Sequence, residues 1–116
     1  MTIYHLVWQS DWNKLVANGQ YRASSLETEG FIHCTKEPEK LVEVANLFFA
    51  GTPKEDLLML SMDESRVGSP VKYEDPGVGH LFPHIYGPLD IRAITAKYVM
   101  KRDGGLWCLP HEWTTP

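Results

Sequence analysis

The sequence predicts a single α+β domain over residues 1–116, with a small, twisted, mainly antiparallel β-sheet core and two or three helices. Apolar runs rich in β-branched and aromatic residues open the chain and recur in its second half, which favours strands. One amphipathic helical pattern lies between them. The tail has two apolar runs separated by an Asp-Gly pair, which is typical of a hairpin.

The first third of the chain contains two predicted strands and two short predicted helices. Side chains along residues 2–8 point to the two faces in turn, and most of them are apolar on both faces. This strand should therefore be covered on both sides. Ser10 is predicted to cap a short helix over residues 11–17 that ends at Asn18-Gly19. Ser24 or Ser25 should cap one further turn over residues 26–29, and Gly30 should end that turn before a strand at residues 31–35.

The clearest helix is predicted at residues 37–50, because Pro38 suits a first helical turn and Gly51 follows the apolar pattern. One stripe of this helix should enter the core and dock on the sheet. The residues of that stripe are Leu41, Val44, Ala45, Phe48 and Phe49.

The second half is predicted to be mostly strand. A loop is expected at residues 52–56, and turn-rich chain at residues 75–80. Strands are expected at residues 57–62, 71–74 and 91–100, the last turning back through Asp103-Gly104 into residues 106–109.

Composition excludes several classes of protein. Hydrophobic residues make up 43% of the chain and charged residues 22%, as in ordinary globular domains. A net charge of −4 argues against nucleic-acid binding as the main task. Cys34 and Cys108 are too few for a disulfide framework. With no visible secretory signal and no stretch of membrane-spanning length, we expect a cytoplasmic protein without a membrane partner.

Three polar residues are candidates for chemistry. His33 lies within an apolar strand pattern, where it either faces a cleft or is a buried histidine with satisfied hydrogen bonds, and His5 has the same two interpretations. Glu74 is either a general base or sugar-hydroxyl anchor at a strand end, or an ordinary solvated glutamate.

A metal site is not expected. His80 and His84 are four residues apart, but Pro83 breaks the helical geometry that would bring them together. There is no HExxH or paired CxxC pattern. A nucleophile built from Cys34 and His33 is also disfavoured, because neighbouring strand residues point to opposite faces.

Four segments together resemble an uncharacterised family, domain of unknown function 952: residues 3–7, 25–35, 44–46 and 82–89. The most specific parts are Glu-Gly-Phe-Ile-His-Cys at residues 29–34 and Phe-Pro-His-Ile-Tyr-Gly-Pro-Leu at residues 82–89, and the resemblance covers about residues 2–99. That family is similar to a compact ADP-ribosyltransferase-like fold, with a histidine on the first strand, an aromatic residue or histidine on a later strand, and then a glutamate. His5, His33 and Glu74 occur in that order.

The resemblance implies NAD as substrate and assigns roles to several residues. His33 would pack at nicotinamide, and Glu74 would bind the reacting ribose and orient the nucleophile; these are the predicted catalytic residues. His5 and Thr35 would hold ribose hydroxyls, Tyr73 or Tyr86 would cover a flat ring, and His84 would also contact the cofactor. Arg22 is the best available phosphate partner on charge alone.

The resulting functional hypothesis is an NAD-dependent ADP-ribosyltransferase or NAD glycohydrolase acting on a small molecule. Transfer to a protein side chain is disfavoured, because no acidic or glutamine pair precedes Glu74. The alternatives are a non-catalytic nucleotide or ADP-ribose binding module and an interaction protein whose histidines are structural. The sequence leaves the oligomeric state open.

Overall fold

The computed structural model describes residues 1–51, 54–111 and 113, and this part of the chain contains eleven strands and three α-helices. The helices are α1 (Gln9–Leu15), α2 (Ser25–Thr28) and α3 (Pro38–Phe48). The strands are β1 (Thr2–Trp8), β2 (Val16–Ala17), β3 (Gln20–Tyr21), β4 (Ile32–His33), β5 (Leu57–Asp63), β6 (Val71–Glu74), β7 (Phe82–Ile85), β8 (Leu89–Asp90), β9 (Ile94–Val99), β10 (Lys101–Asp103) and β11 (Leu106–Cys108).

The central sheet has the order β1-β5-β9, with both pairings antiparallel. The β1–β5 register runs without interruption from Thr2 opposite Asp63 to Trp8 opposite Leu57. The sequence-based prediction of β1 is confirmed, and β5 extends one residue beyond the predicted end. Both faces are covered, since Ile3 and Val7 pack in one core cluster while Tyr4 and Leu6 pack in the other.

Two small three-stranded sheets and one hairpin surround the central sheet. Their orders are β2-β3-β8, β4-β7-β6 and β10-β11, again antiparallel throughout. Tyr4 and Thr35 exchange both backbone hydrogen bonds at 2.8 Å, and the Cys34 N–H donates to the Pro83 carbonyl at 3.0 Å. These bonds join the β4-β7-β6 sheet to the outer edge of β1. The predicted α+β class, with mainly antiparallel strands and three helices, is confirmed.

The predicted docking of α3 on the sheet is confirmed, but only part of its stripe is core. Leu41 and Ala45 are buried against the Tyr4 and Leu6 face of β1. Phe48, which we expected in the core, is 75% exposed. It is the last residue of the helix and lies beside an open cavity, so its ring has no packing partner on that side.

The Asn18-Gly19 pair does not end a helix as predicted. Helix α1 already stops at Leu15, and β2 and β3 form a two-residue hairpin around Asn18 (φ 53°) and Gly19 (φ 75°). Positive φ at both turn residues is what a tight hairpin needs, and Asn-Gly is the pair best suited to it.

The predicted serine caps are wrong. Trp8 occupies the N-cap of α1, while Ser10 lies inside the helix and donates its hydroxyl to Glu55 at 2.9 Å. Ser24 precedes α2 without a side-chain cap, and the Ser25 hydroxyl donates to the Phe31 carbonyl at 2.7 Å. In α1, a carboxylate from outside the helix takes the place of the expected cap, because Glu55 accepts the Ser10 N–H at 2.7 Å.

The remaining predicted elements differ mainly at their ends. The predicted strand at residues 31–35 is regular only at β4, and the predicted helix at residues 37–50 is α3. Residues 91–93 form a 3₁₀ turn, because the Asp90 carboxylate accepts the Arg92 N–H, and the strand starts only at Ile94. The tail hairpin is confirmed as β10-β11. The predicted loop at residues 52–56 lies partly outside the described residues. None of the described helices is long and apolar enough to cross a membrane.

Candidate functional site

A cavity of about 540 Å³ opens beside the edge of β1, between α3 and the chain around Tyr21–Ser25. Its volume is in the range of small-molecule sites. The polar residues that line it are His5, Asp11, Ser24, Ser25, Glu29, His33, Thr35 and His84. The aromatic residues are Tyr4, Trp8, Tyr21, Phe48, Phe49 and Phe82.

The lining of the cavity includes a strand edge beside which no described strand lies. β1 is an edge strand of its sheet, and within residues 1–51, 54–111 and 113 only Tyr4 is joined across its outer side, to Thr35. Backbone groups of alternate residues point to the same side of an antiparallel strand. The N–H and C=O of Leu6 therefore point outward as those of Tyr4 do, and no described strand lies there to receive them.

His5 is buried and fully hydrogen-bonded. Its Nδ1 lies 2.6 Å from the His33 carbonyl oxygen and its Nε2 lies 2.8 Å from the Tyr21 hydroxyl. Burial lowers the pKa of His5 from 6.5 to about 4, against the opposing effect of the bond to the His33 carbonyl. The ring is therefore neutral at pH 7, with Nδ1–H donating to His33 and Nε2 accepting from Tyr21. His5 fixes the backbone at His33 and has no ring nitrogen free for a ligand.

His33 and His84 form a cross-strand pair in the wall of the cavity. They are direct partners in the β4–β7 register, and their ring centroids are 5.4 Å apart. Each ring also meets a carboxylate: His33 Nε2 lies 2.9 Å from Glu29, and His84 Nδ1 lies 2.8 Å from Glu74. The site therefore holds two adjacent histidine–carboxylate pairs, one exposed at His33 and one buried at His84.

Glu74 reaches the cavity only through His84, because it is not among the residues that line the cavity. It lies opposite Phe82 in the β6–β7 register, so it meets His84 on the diagonal. The Tyr86 hydroxyl donates to the same Glu74 oxygen at 2.5 Å. Hydrogen bonds from Tyr86 and His84 lower the pKa of Glu74, which keeps this carboxylate ionised at neutral pH.

The structure brings together four of the eight predicted site residues. His5, His33, Thr35 and His84 line the cavity. Glu74, Tyr73, Tyr86 and Arg22 do not. Tyr73 donates its hydroxyl to Glu64, and the Arg22 guanidinium lies on the surface against Gln20 at 3.2 Å.

Sequence reasoning missed the two lining residues that hydrogen-bond the predicted histidines. Tyr21 supplies the second bond of His5, and Glu29 supplies the carboxylate of His33. Glu29 lies four residues before His33 in the same quoted motif, a spacing that was available as a signal. Tyr21 had no such local signal.

Neither a thiol nucleophile nor a metal site is found in this part of the structure. Cys34 is buried, and burial raises the pKa of its thiol far above the neutral range. Among residues 1–51, 54–111 and 113, no three His, Cys, Asp or Glu side chains converge as a metal site requires.

The turn-rich segment 75–80 reaches the cavity through one residue, Pro76. The Asp75 carboxylate accepts the N–H groups of Gly77, Val78 and Gly79 at 2.8 to 3.1 Å, which stabilises the turn. His80 Nε2 lies 3.1 Å from Glu37, at the start of α3.

Comparisons with known proteins place the chain beside proteins whose function is not described. The family model described as "Protein of unknown function (DUF952)" matches residues 6–97. The crystal structure of protein CC0527 from Caulobacter crescentus is 27% identical and superposes with a TM-score of 0.80, covering 94% of this chain and 95% of that one. The solution NMR structure of CC0527 gives 26% identity and a TM-score of 0.73, with 95% and 91% covered. No curated protein matches the chain.

Proposed function

The chain belongs to the DUF952 family, and from that premise we propose that its cavity binds a nicotinamide dinucleotide such as NAD and breaks the nicotinamide–ribose bond. The observation that supports this proposal is the edge of β1 at Leu6, which no described strand pairs with and which lies in a cavity of about 540 Å³ beside two histidines. The size suits the nicotinamide nucleoside half of such a ligand.

A planar carboxamide is the chemical group that best complements this strand edge. Its N–H can donate to the Leu6 carbonyl while its oxygen accepts the Leu6 N–H, as a neighbouring strand would. Trp8 and Phe49 line the same cavity with their rings 5.4 Å apart, and such aromatic surfaces favour a flat heteroaromatic ring. Nicotinamide combines both properties.

Bond cleavage at the sugar would occur next to the polar wall. The departure of nicotinamide leaves positive charge on the ribose, as in the oxocarbenium-like state of glycoside cleavage. Thr35, His33 and His84 supply hydrogen-bonding groups on that side of the cavity. No lysine or arginine is among the described residues that line it, so the dinucleotide phosphates would extend toward solvent.

A second candidate function is a binding module that holds a nucleotide or ADP-ribose without turnover. The position of Glu74 outside the cavity favours this alternative, because the carboxylate cannot contact the reacting ribose directly. Binding without release of nicotinamide would identify such a module.

The test uses NAD with ligand-observed NMR, repeated over hours to detect free nicotinamide. A matched pair of variants locates the binding site, because Leu47 and Phe48 are neighbours on α3 with 73% and 75% exposure, and only Phe48 lines the cavity. Phe48→Ala should weaken NAD binding about fivefold, since one aromatic contact is worth about 1 kcal/mol. Leu47→Ala should bind as wild type does.

Two results would contradict the proposal. The first is the absence of any NAD signal transfer with the folded wild-type protein. The second is an equal loss of binding in both variants, which would place the ligand elsewhere on α3.

A further inference from the structure

The His84 ring lines the cavity and is held from behind by Glu74, which lies outside it. The ring of His84 stacks on Phe31 at 4.1 Å with an interplanar angle of 19°, and its side chain is only 5% exposed. Its Nδ1 faces the ionised Glu74, which accepts hydrogen bonds and cannot donate one. Nδ1 must therefore carry the proton, and in the neutral ring Nε2 is left with a free lone pair.

We propose that His84 is the general base that activates the attacking water in this cavity, and that Glu74 is the positioning residue that holds it in the required tautomer. This inference rests on the proposed NAD cleavage. It assigns Glu74 a different role from direct contact with ribose, because the carboxylate acts through the imidazole.

The step is balanced with water as the co-reactant. The water oxygen forms a bond to the anomeric carbon of the ribose, and the bond from that carbon to the nicotinamide nitrogen breaks. The electron pair of the broken bond stays on the ring nitrogen, so nicotinamide leaves as a neutral molecule. One proton of the water passes to Nε2 of His84 and then to solvent. The products are ADP-ribose, nicotinamide and one proton.

The other candidate bases fit less well. His5 has both ring nitrogens engaged, by the His33 carbonyl and the Tyr21 hydroxyl. His33 is paired with Glu29 through Nε2, but its side chain is 52% exposed, so water competes for that bond. The Cys34 thiol is kept protonated by burial. Among the described residues that line the cavity, only His84 combines a stacked ring, an ionised carboxylate partner and low exposure.

The experiment measures NAD affinity and the rate of nicotinamide release separately. Glu74→Gln keeps the shape of a side chain that is 41% exposed, so folding should be retained. It should lower kcat about 10- to 100-fold and leave KM and the Kd for NAD within twofold, since only the orientation of the base changes. Glu43→Gln is the matched control: it removes a surface carboxylate that contacts Lys40 on α3 and should leave both parameters unchanged.

His84→Ala allows a rescue test with added imidazoles, and a purely structural role of His84 would not give a rescue that follows the pKa of the added base. Its kcat should fall about 100-fold or more, and added imidazoles should restore part of it. In a series of methyl-substituted imidazoles of similar size, the restored rate should rise with the pKa of the added base. A rescue that depends on the size of the imidazole and not on its pKa would show cavity filling and overturn the proposal.

The outcomes separate this inference from the proposed function. Wild-type turnover that persists in folded His84→Ala, or a Glu74→Gln variant with unchanged kcat, would overturn the base assignment while NAD cleavage stands. Binding of NAD without any release of nicotinamide by wild type would overturn the base assignment and leave the binding module. No binding by wild type would refute both.

Discussion

Acid should destabilise this protein through one residue, His5, at pH values where most carboxylates are still ionised. Because burial lowers the pKa of His5 from 6.5 to about 4, the folded state keeps it neutral while the unfolded chain takes up a proton below pH 6.5. The stabilisation that depends on neutral His5 is therefore fully present above pH 6.5, and it is lost as the pH falls from 6.5 toward 4. At about 1.4 kcal/mol for each pH unit, the loss reaches about 3 kcal/mol.

The assay is urea unfolding at pH 7.0 and 4.5, for wild type and His5→Asn. The asparagine amide can still donate to the His33 carbonyl but does not titrate, so the variant should lack the His5 part of the acid effect. The difference between the two proteins isolates His5, because every other ionisable group is the same in both. In thermal unfolding, the same loss would lower the wild-type Tm by about 10 °C.

One result would refute this reasoning. If wild type and His5→Asn lose the same free energy of unfolding between pH 7.0 and 4.5, His5 is not held neutral by burial. The hydrogen bond to the Tyr21 hydroxyl would then have to be open to water.

Three other predictions concern stability and are measured by urea unfolding at pH 7. Tyr21→Phe should cost about 1–3 kcal/mol, because it leaves the buried Nε2 of His5 without a donor; a change below about 0.5 kcal/mol would contradict the observed bond. Leu41→Ala should cost about 2–5 kcal/mol while Phe48→Ala costs under about 0.5 kcal/mol, and similar losses would contradict the difference in their burial. Gly87→Ala should destabilise by about 1–3 kcal/mol, since φ is 148° and a methyl group would lie 2.5 Å from the Ser69 hydroxyl; a neutral result would mean that both segments move apart easily.

The elements that sequence predicted best are those whose pattern is local. β1 and β6 match their predicted bounds, because alternation of apolar side chains and turn residues mark them within a few positions. The Asn18-Gly19 pair was assigned to a helix end, since the same dipeptide suits a helix terminus and a hairpin. The hairpin is favoured here because β3 also pairs with β8, which lies about seventy residues later in the chain. No local pattern contains that information.

Several residues of the candidate site were predicted from sequence, but the contacts between their side chains were not. His5, His33 and His84 were all predicted as site residues, and the structure brings them together at one cavity. The contact between Glu74 and His84 depends on the β6–β7 register, which places Glu74 opposite Phe82 and diagonal to His84. A shift of one residue would turn the carboxylate to the other face. The sequence therefore indicated the residues, whereas their roles required the register.

The strand order β1-β5-β9 has a consequence for how the chain folds during synthesis. β5 is the middle strand, and its two neighbours lie at opposite ends of the sequence, with Thr2 opposite Asp63 and Leu58 opposite Val99. The apolar side chains of β1 cannot find their partner until residue 63 has left the ribosome, and β5 keeps one open edge until β9 follows. Such long-range pairing is slow and exposes strand edges to other chains. A nascent chain stalled before Ile94 should therefore be prone to aggregation.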